Sequence, residues 1–173
     1  MSLSLGDHAP HLSLPDTDGA EHDLGEHGTP TVVIFTCNHC PYALAWHDRL
    51  TAVGRDYADQ VRFFAVNPND AERYPGDSLA KMRERVAAEG WTMPYLRDEE
   101  QEVAAAYGAK TTPDVFVIDA HGTLRYRGAP DADHSDPSLD AAWLREALDA
   151  VLDGREPERP ETEPVGCSVK WKP

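Results

Sequence analysis

A chain of 173 residues, 40% apolar and 8% aromatic, is long enough to bury one core without disulfide staples, and no apolar run approaches the length of a membrane span. With 16 basic against 31 acidic residues, its formal charge of −15 repels nucleic acid and anionic lipid and argues against either as a partner. The start, MSLSLGDHAPHL, lacks the basic-then-apolar order of a secretory leader, so the expected address is cytoplasmic.

The first segment, HLSLPDTDGAEHDL, alternates around Asp18-Gly19 and predicts a short β-hairpin. Residues 31–36 (TVVIFT) form a compact β-branched run expected of a buried strand. After a cysteine pair, Leu44, Leu50, Val53 and Tyr57 carry helical spacing and predict a helix over 42–57. A second strand follows over 61–66, ended by Asn67-Pro68-Asn69-Asp70, and Ser78 and Gly90 bracket a helix over 78–89. A short extended piece at 93–96 leads to a helix over 99–107, which Gly108 stops. Residues 115–118 (VFVI) predict a strong strand, the turn Asp119–Gly122 leads to a strand over 123–127, and a last helix over 138–152 buries Leu139, Trp143, Leu144, Leu148 and Val151. Strands alternating with helices predict an α/β layer structure, with the final hairpin as an antiparallel edge. This domain spans residues 1–154. The remaining 155–173 are a tail rich in proline and charge, without a core of its own. Its end is less polar, and GCSVKWKP is expected to dock on the domain with Trp171 as anchor.

Chemistry concentrates in Cys37-Asn38-His39-Cys40, at a strand-to-helix junction. A cysteine at a helix start meets free backbone N–H groups and the positive end of the helix dipole, both of which stabilise a thiolate. A second thiol one turn away completes an attacking and resolving pair, with Cys37 expected as the exposed nucleophile and Cys40 as the buried resolver. A structural zinc site would need a second ligand pair, which the scattered histidines and Cys167 do not offer, so neither metal nor cofactor is expected. His39 can support a Cys37 thiolate by hydrogen bond or charge, which would make the disulfide more oxidising. The competing reading leaves His39 facing solvent. Thr112-Pro113 directly precedes the 115–118 strand, and a proline there can hold a cis peptide. If Pro113 packs against Cys37, the Thr112 backbone is free to pair with an extended substrate.

FTCNHCPYALA, AAAYGAKTTPDVFVIDAHGTLRYRG and the ending GCSVKWKP resemble the peroxiredoxin-like branch of the thioredoxin superfamily, among the redoxin or AhpC/TSA proteins. The resemblance implies a three-layer α/β/α thioredoxin fold with a central mixed sheet, an N-terminal hairpin extension and a helical insertion near 78–89. It matches Cys37 and Cys40 to the redox pair and Pro113 to the cis-proline. Many relatives carry a cysteine just ahead of Thr-Pro, where this chain has Thr111.

Two features argue against a peroxidase. True peroxiredoxins place a threonine three residues before the reactive cysteine, where this chain has Ile34. They also set an arginine near the cis-proline, and none lies between Arg97 and Arg125, leaving Arg97 or Arg127 to swing in. The expected function is therefore a thiol–disulfide oxidoreductase acting on protein or small-molecule disulfides, with a thioredoxin- or glutathione-type reductant. A thiol peroxidase is the alternative, and a non-catalytic redox switch the second. Cys167 stands as a possible third thiol.

Overall fold

The computed structural model describes residues 2–173, and its elements follow the pattern of the chain. An N-terminal hairpin of β1 (Ser13–Pro15) and β2 (Glu21–Asp23) turns where Asp16 accepts from the amides of Asp18 and Ala20. Then come β3 (Thr31–Phe35), α1 (Pro41–Asp56), β4 (Arg62–Asn67), α2 (Leu79–Glu89), β5 (Tyr95–Arg97) and α3 (Glu102–Tyr107). The chain closes with β6 (Thr111–Thr112), β7 (Asp114–Ile118), β8 (Leu124–Gly128), α4 (Ala142–Leu152) and β9 (Cys167–Ser168).

The central sheet has the order β5-β4-β3-β7-β8. Strands β3, β4 and β5 are parallel, while β7 and β8 add the antiparallel edge. The two central strands, β3 and β7, are buried at every position, which is why residues 32–35 and 115–118 read as unbroken apolar runs. Alternate side chains then divide between two cores. Val32, Ile34, Val115 and Val117 meet α1 and α4 on one face. Val33, Phe35, Phe116 and Ile118 meet α3 and the N-terminal hairpin on the other, completing three layers. Helix α2 adds a smaller cluster, in which Met82 packs on Ala65 and Tyr95.

Local signals set most boundaries. Pro41 opens α1 at a position whose N–H needs no partner. Ser78 Oγ accepts the Lys81 amide at the start of α2, and Gly90 ends it in the left-handed conformation (φ 62°). Two helices begin later than their periodicity predicts. Asp98 accepts from the amides of Val103 and Ala104, so α3 starts at Glu102. The carboxylates of Asp133 and Asp136 bind the amides of Ser135 and Ser138, holding that stretch in turns until α4 starts at Ala142.

The tail crosses the domain and is tied down by its backbone. Lys170 N–H donates to Asn69 Oδ1 at 2.9 Å, and the Lys170 carbonyl accepts from the Asp70 amide at 2.8 Å and from Gln101 Nε2 at 2.9 Å. The buried side chain is Val169, which joins the core beside α3; Trp171 is 41% exposed and is not the anchor. Strand pairing beside Thr112 turns Val169 inward, whereas Trp171 is held only through its backbone, its carbonyl accepting from Arg73 Nη2 at 2.8 Å, and its ring stays outside the core. Among the described residues, no helix is long and apolar enough to cross a membrane.

Candidate active site

Cys37 lies just past the end of β3, and Cys40 is the N-cap of α1. Both side chains are closed to solvent, Cys37 at 1% and Cys40 at 0% exposure, so the expectation of an exposed Cys37 does not hold in this reduced form. Cys167 of the tail, together with Tyr42, packs against the cluster formed by Cys37, Cys40 and Ala43. Thr112 contacts both sulfurs. Its Oγ1 is 3.4 Å from Cys37 Sγ, its carbonyl accepts from Cys40 Sγ at 3.1 Å, and its bond to Pro113 is cis.

The two thiols shift one another in opposite directions. The hydrogen bond between them holds the Cys40 sulfur at about 4, helped by contacts from the Cys167 thiol and the Ala43 amide against the cost of burial. The same hydrogen bond, then burial, pushes Cys37 up, and the Asp77 charge adds to this. Thr112 is placed for the opposite assignment: its hydroxyl can donate to a Cys37 thiolate, and its carbonyl accepts only from a protonated Cys40.

His39 is on the surface with its Nδ1 3.0 Å from Asp77 Oδ2, not turned onto Cys37. Its backbone N–H, rather than its ring, favours a Cys37 thiolate. Asp77 is fully buried and is the hub of this loop: it accepts from the Asn38 amide (2.7 Å), Asn67 Nδ2 (3.1 Å) and Asn69 Nδ2 (3.0 Å). Donor atoms of Cys37, His39 and Asp77 lie within 4.8 Å of one another, a spacing a metal could span. The Asp77 oxygens, however, are already engaged by these four partners. Arg85, from α2, donates to the Cys37 carbonyl at 3.0 Å, and Tyr95 OH donates to Asn38 Oδ1 at 2.7 Å. Neither Arg97 nor Arg127 makes such a contact. Arg97 binds the carbonyls of Asn67 and Asn69, and Arg127 those of Leu3 and Gly108.

Asp77, Arg85, Asn67 and Asn69 were not singled out by sequence reasoning. Their only signal is a turn-rich stretch, Asn67–Asp70 and Pro75–Asp77, next to the predicted insertion. The edge expected to receive a substrate is already paired: β6 joins β9 antiparallel, with Thr111 opposite Ser168 and Thr112 opposite Cys167.

Comparison with known proteins gives the same frame. The AhpC/TSA family model matches residues 5–127. A Mycobacterium tuberculosis protein provisionally named a peroxiredoxin is 27% identical, covering 76% of this chain and 80% of that protein. The thiol-disulfide oxidoreductase ResA of Geobacillus thermodenitrificans is 28% identical, covering 72% and 68% respectively. Among solved structures, a conserved protein of Geobacillus kaustophilus superposes with a TM-score of 0.93 at 38% identity, covering 99% of this chain and 94% of that one. A thioredoxin-like protein of Neisseria meningitidis shares the fold at a TM-score of 0.68 and 21% identity, covering 84% and 89%. The sheet order, the buried thiol pair at a strand-to-helix junction and the family match converge: this chain has the thioredoxin fold and belongs to the AhpC/TSA family.

Proposed function

We propose that this protein is a thiol–disulfide oxidoreductase that exchanges disulfides through Cys37 and Cys40. Thiol redox chemistry is what its family and its named relatives have in common. The observation that carries the finer reading is the double contact of Thr112, whose hydroxyl addresses Cys37 and whose carbonyl addresses Cys40. That polarity suits Cys37 as the attacking thiolate and Cys40 as the thiol that resolves the mixed disulfide. Cys37 attacks one sulfur of a disulfide substrate, and the departing thiol leaves with the electron pair. Cys40 then attacks Cys37, releases the second thiol and closes the Cys37–Cys40 disulfide. A thioredoxin- or glutathione-type thiol would return the pair to the reduced state.

Exchange is favoured over peroxide reduction by the surroundings of Cys37. Ile34 points into the core at the position of the peroxidase threonine, and Arg85 is spent on the Cys37 carbonyl. The test supplies the full chain with glutathione disulfide or with hydrogen peroxide, each with a thioredoxin-type reductant. Faster turnover of the disulfide supports the exchanger. Faster turnover of peroxide favours the peroxidase, and reversible oxidation without turnover of either favours a switch.

A further inference from the structure

Cys167 does not lie on the surface as a stray thiol. Strand β9 sets it opposite Thr112, in the place where an extended substrate would pair beside Pro113, and its side chain packs against the cluster of Cys37, Cys40 and Ala43, with Cys40 as its titrating neighbour. Gly166 makes this approach possible. A Cβ built there would stand 2.8 Å from the Thr112 carbonyl carbon and closer still to its oxygen, so any side chain would force β9 away. Beyond Cys167 the tail is held independently, by Asn69 and Gln101 on Lys170, by Lys172 N–H on Gln101 Oε1 at 2.9 Å, and by burial of Val169. Gln101 sits in the left-handed conformation (φ 60°), a costly state for a residue with a Cβ, and from there its amide reaches both Pro68 and the tail.

We infer that Cys167 is a third redox thiol, which takes over the disulfide by attacking Cys40 and thereby carries oxidation from the buried pair to the half-exposed tail. This rests on the reading of Cys37 and Cys40 as the exchanging pair. In the step, the Cys167 thiolate attacks Cys40 Sγ of the Cys37–Cys40 disulfide. The Cys40–Cys167 bond forms, the Cys37–Cys40 bond breaks, and Cys37 leaves with the electron pair as a thiolate. The proton from Cys167 passes to solvent, and the protein stays oxidised by two electrons throughout. The first disulfide comes from the disulfide substrate, so no other oxidant enters.

The order of events follows from what Cys40 does to its neighbour. In the reduced protein the Cys167 thiol is pushed up to about 11 by burial, by its hydrogen bond to Cys40 and by the charge there. Once Cys40 is bonded to Cys37, the two influences of Cys40 fall away, while burial, the largest cause, still holds the Cys167 thiol up and Lys170 opposes it. Cys167 is therefore easier to ionise after the first disulfide has closed than before. The transfer also reopens Cys37 for a second substrate while keeping Cys40 occupied. Because the tail is tethered, its thiol acts at a high local concentration that a free thiol in solution would not match.

The experiment oxidises the full chain with excess glutathione disulfide, quenches in acid, alkylates free thiols and maps disulfide-linked peptides by mass spectrometry. Wild type is expected to give Cys40–Cys167 peptides appearing after Cys37–Cys40 peptides. Gly166→Val keeps all three thiols but displaces β9, and is expected to lower the Cys40–Cys167 product about tenfold or more as the local concentration falls. Cys37→Ser lacks both the attacking sulfur and the first disulfide, and is expected to give little Cys40–Cys167 product. If Cys37–Cys40 forms in wild type and Cys40–Cys167 does not, the relay is overturned and the exchanging pair stands. If wild type forms neither disulfide, the exchanging pair falls with it. An equal Cys40–Cys167 yield in Gly166→Val would overturn the role given to β9.

Discussion

His39 Nδ1 and Asp77 Oδ2 are 3.0 Å apart, which joins the surface residue inside the cysteine motif to a fully buried carboxylate from a different loop. The Asp77 charge opposes a thiolate on Cys37, and the His39 ring stands against that charge. A modulating role for the His39 ring would therefore run mainly through the aspartate.

Opposite effects on the redox potential follow for the two partners. His39→Ala uncovers the Asp77 charge, disfavours the reduced thiolate and is expected to lower the potential by roughly 30 mV, about 1.4 kcal/mol for a two-electron couple. Asp77→Asn removes the charge and is expected to raise it. Glutathione redox titration of the three proteins reads both signs. Equal potentials for wild type and His39→Ala would return the histidine to a solvent-facing bystander.

The two cysteines of the motif should fail in different ways. Cys37→Ser is expected to abolish disulfide turnover because the attacking sulfur is gone. Cys40→Ser should attack but not resolve, so that a mixed disulfide with glutathione accumulates on Cys37 unless Cys167 intercepts it. Intact-mass measurement after reaction distinguishes them; an adduct on Cys37→Ser alone would reverse the assignment.

Asp114, directly after Pro113, is fully buried, and its Oδ1 has no hydrogen-bond partner. Burial raises its pKa from 3.8 to about 6, against the bond its carboxylate accepts from the Lys110 amide. The folded state thus binds this proton more tightly than the unfolded chain does. The stability contributed by the protonated form is present below about pH 4 and is lost as pH rises through about 6. Asp114→Asn keeps an acceptor for Lys110 without a charge and is expected to stabilise the protein above pH 6. The gain is at most about 3 kcal/mol, the free energy that separates a carboxyl titrating near 4 from one titrating near 6. Denaturant unfolding of both proteins at acidic and neutral pH checks it. A difference that does not shrink toward low pH would refute the burial argument.

On the α1–α4 face, Arg49 Nη1 and Asp131 Oδ2 are 2.8 Å apart with both side chains buried, and Asp131 also accepts from Trp46 Nε1 and the Ala141 amide. Removing the carboxylate leaves a buried guanidinium uncompensated. Asp131→Ala is expected to cost about 3–5 kcal/mol, measured by urea unfolding. A loss below about 1 kcal/mol, on the scale of an exposed pair, would show that water replaces the carboxylate.

Elements whose cause lies within a few residues were legible in the chain. The β-branched run at 31–36, the apolar spacing along α1, Ser78 and Gly90 around α2, and the thiol pair between strand and helix each carry their own local signal. Helix starts were less legible where acidic side chains bind nearby amides, as at Asp98 and at Asp133–Asp136, because such turns compete with helical hydrogen bonds that look equally available in sequence. Only the tertiary structure decided what surrounds the sulfurs. Asp77 reaches His39 across 38 residues of chain, Arg85 reaches Cys37 across 48, and Cys167 comes to Thr112 across 55. The tail shows the limit most clearly. Its apolar residues announced that something docks, but Trp171, the largest of them, stayed exposed while Val169 was buried and Gly166 let β9 reach Thr112. Hydrophobicity is a property of each residue and can be read one position at a time. Which residue turns inward depends on strand register against a distant partner, and that is set only when the two segments meet.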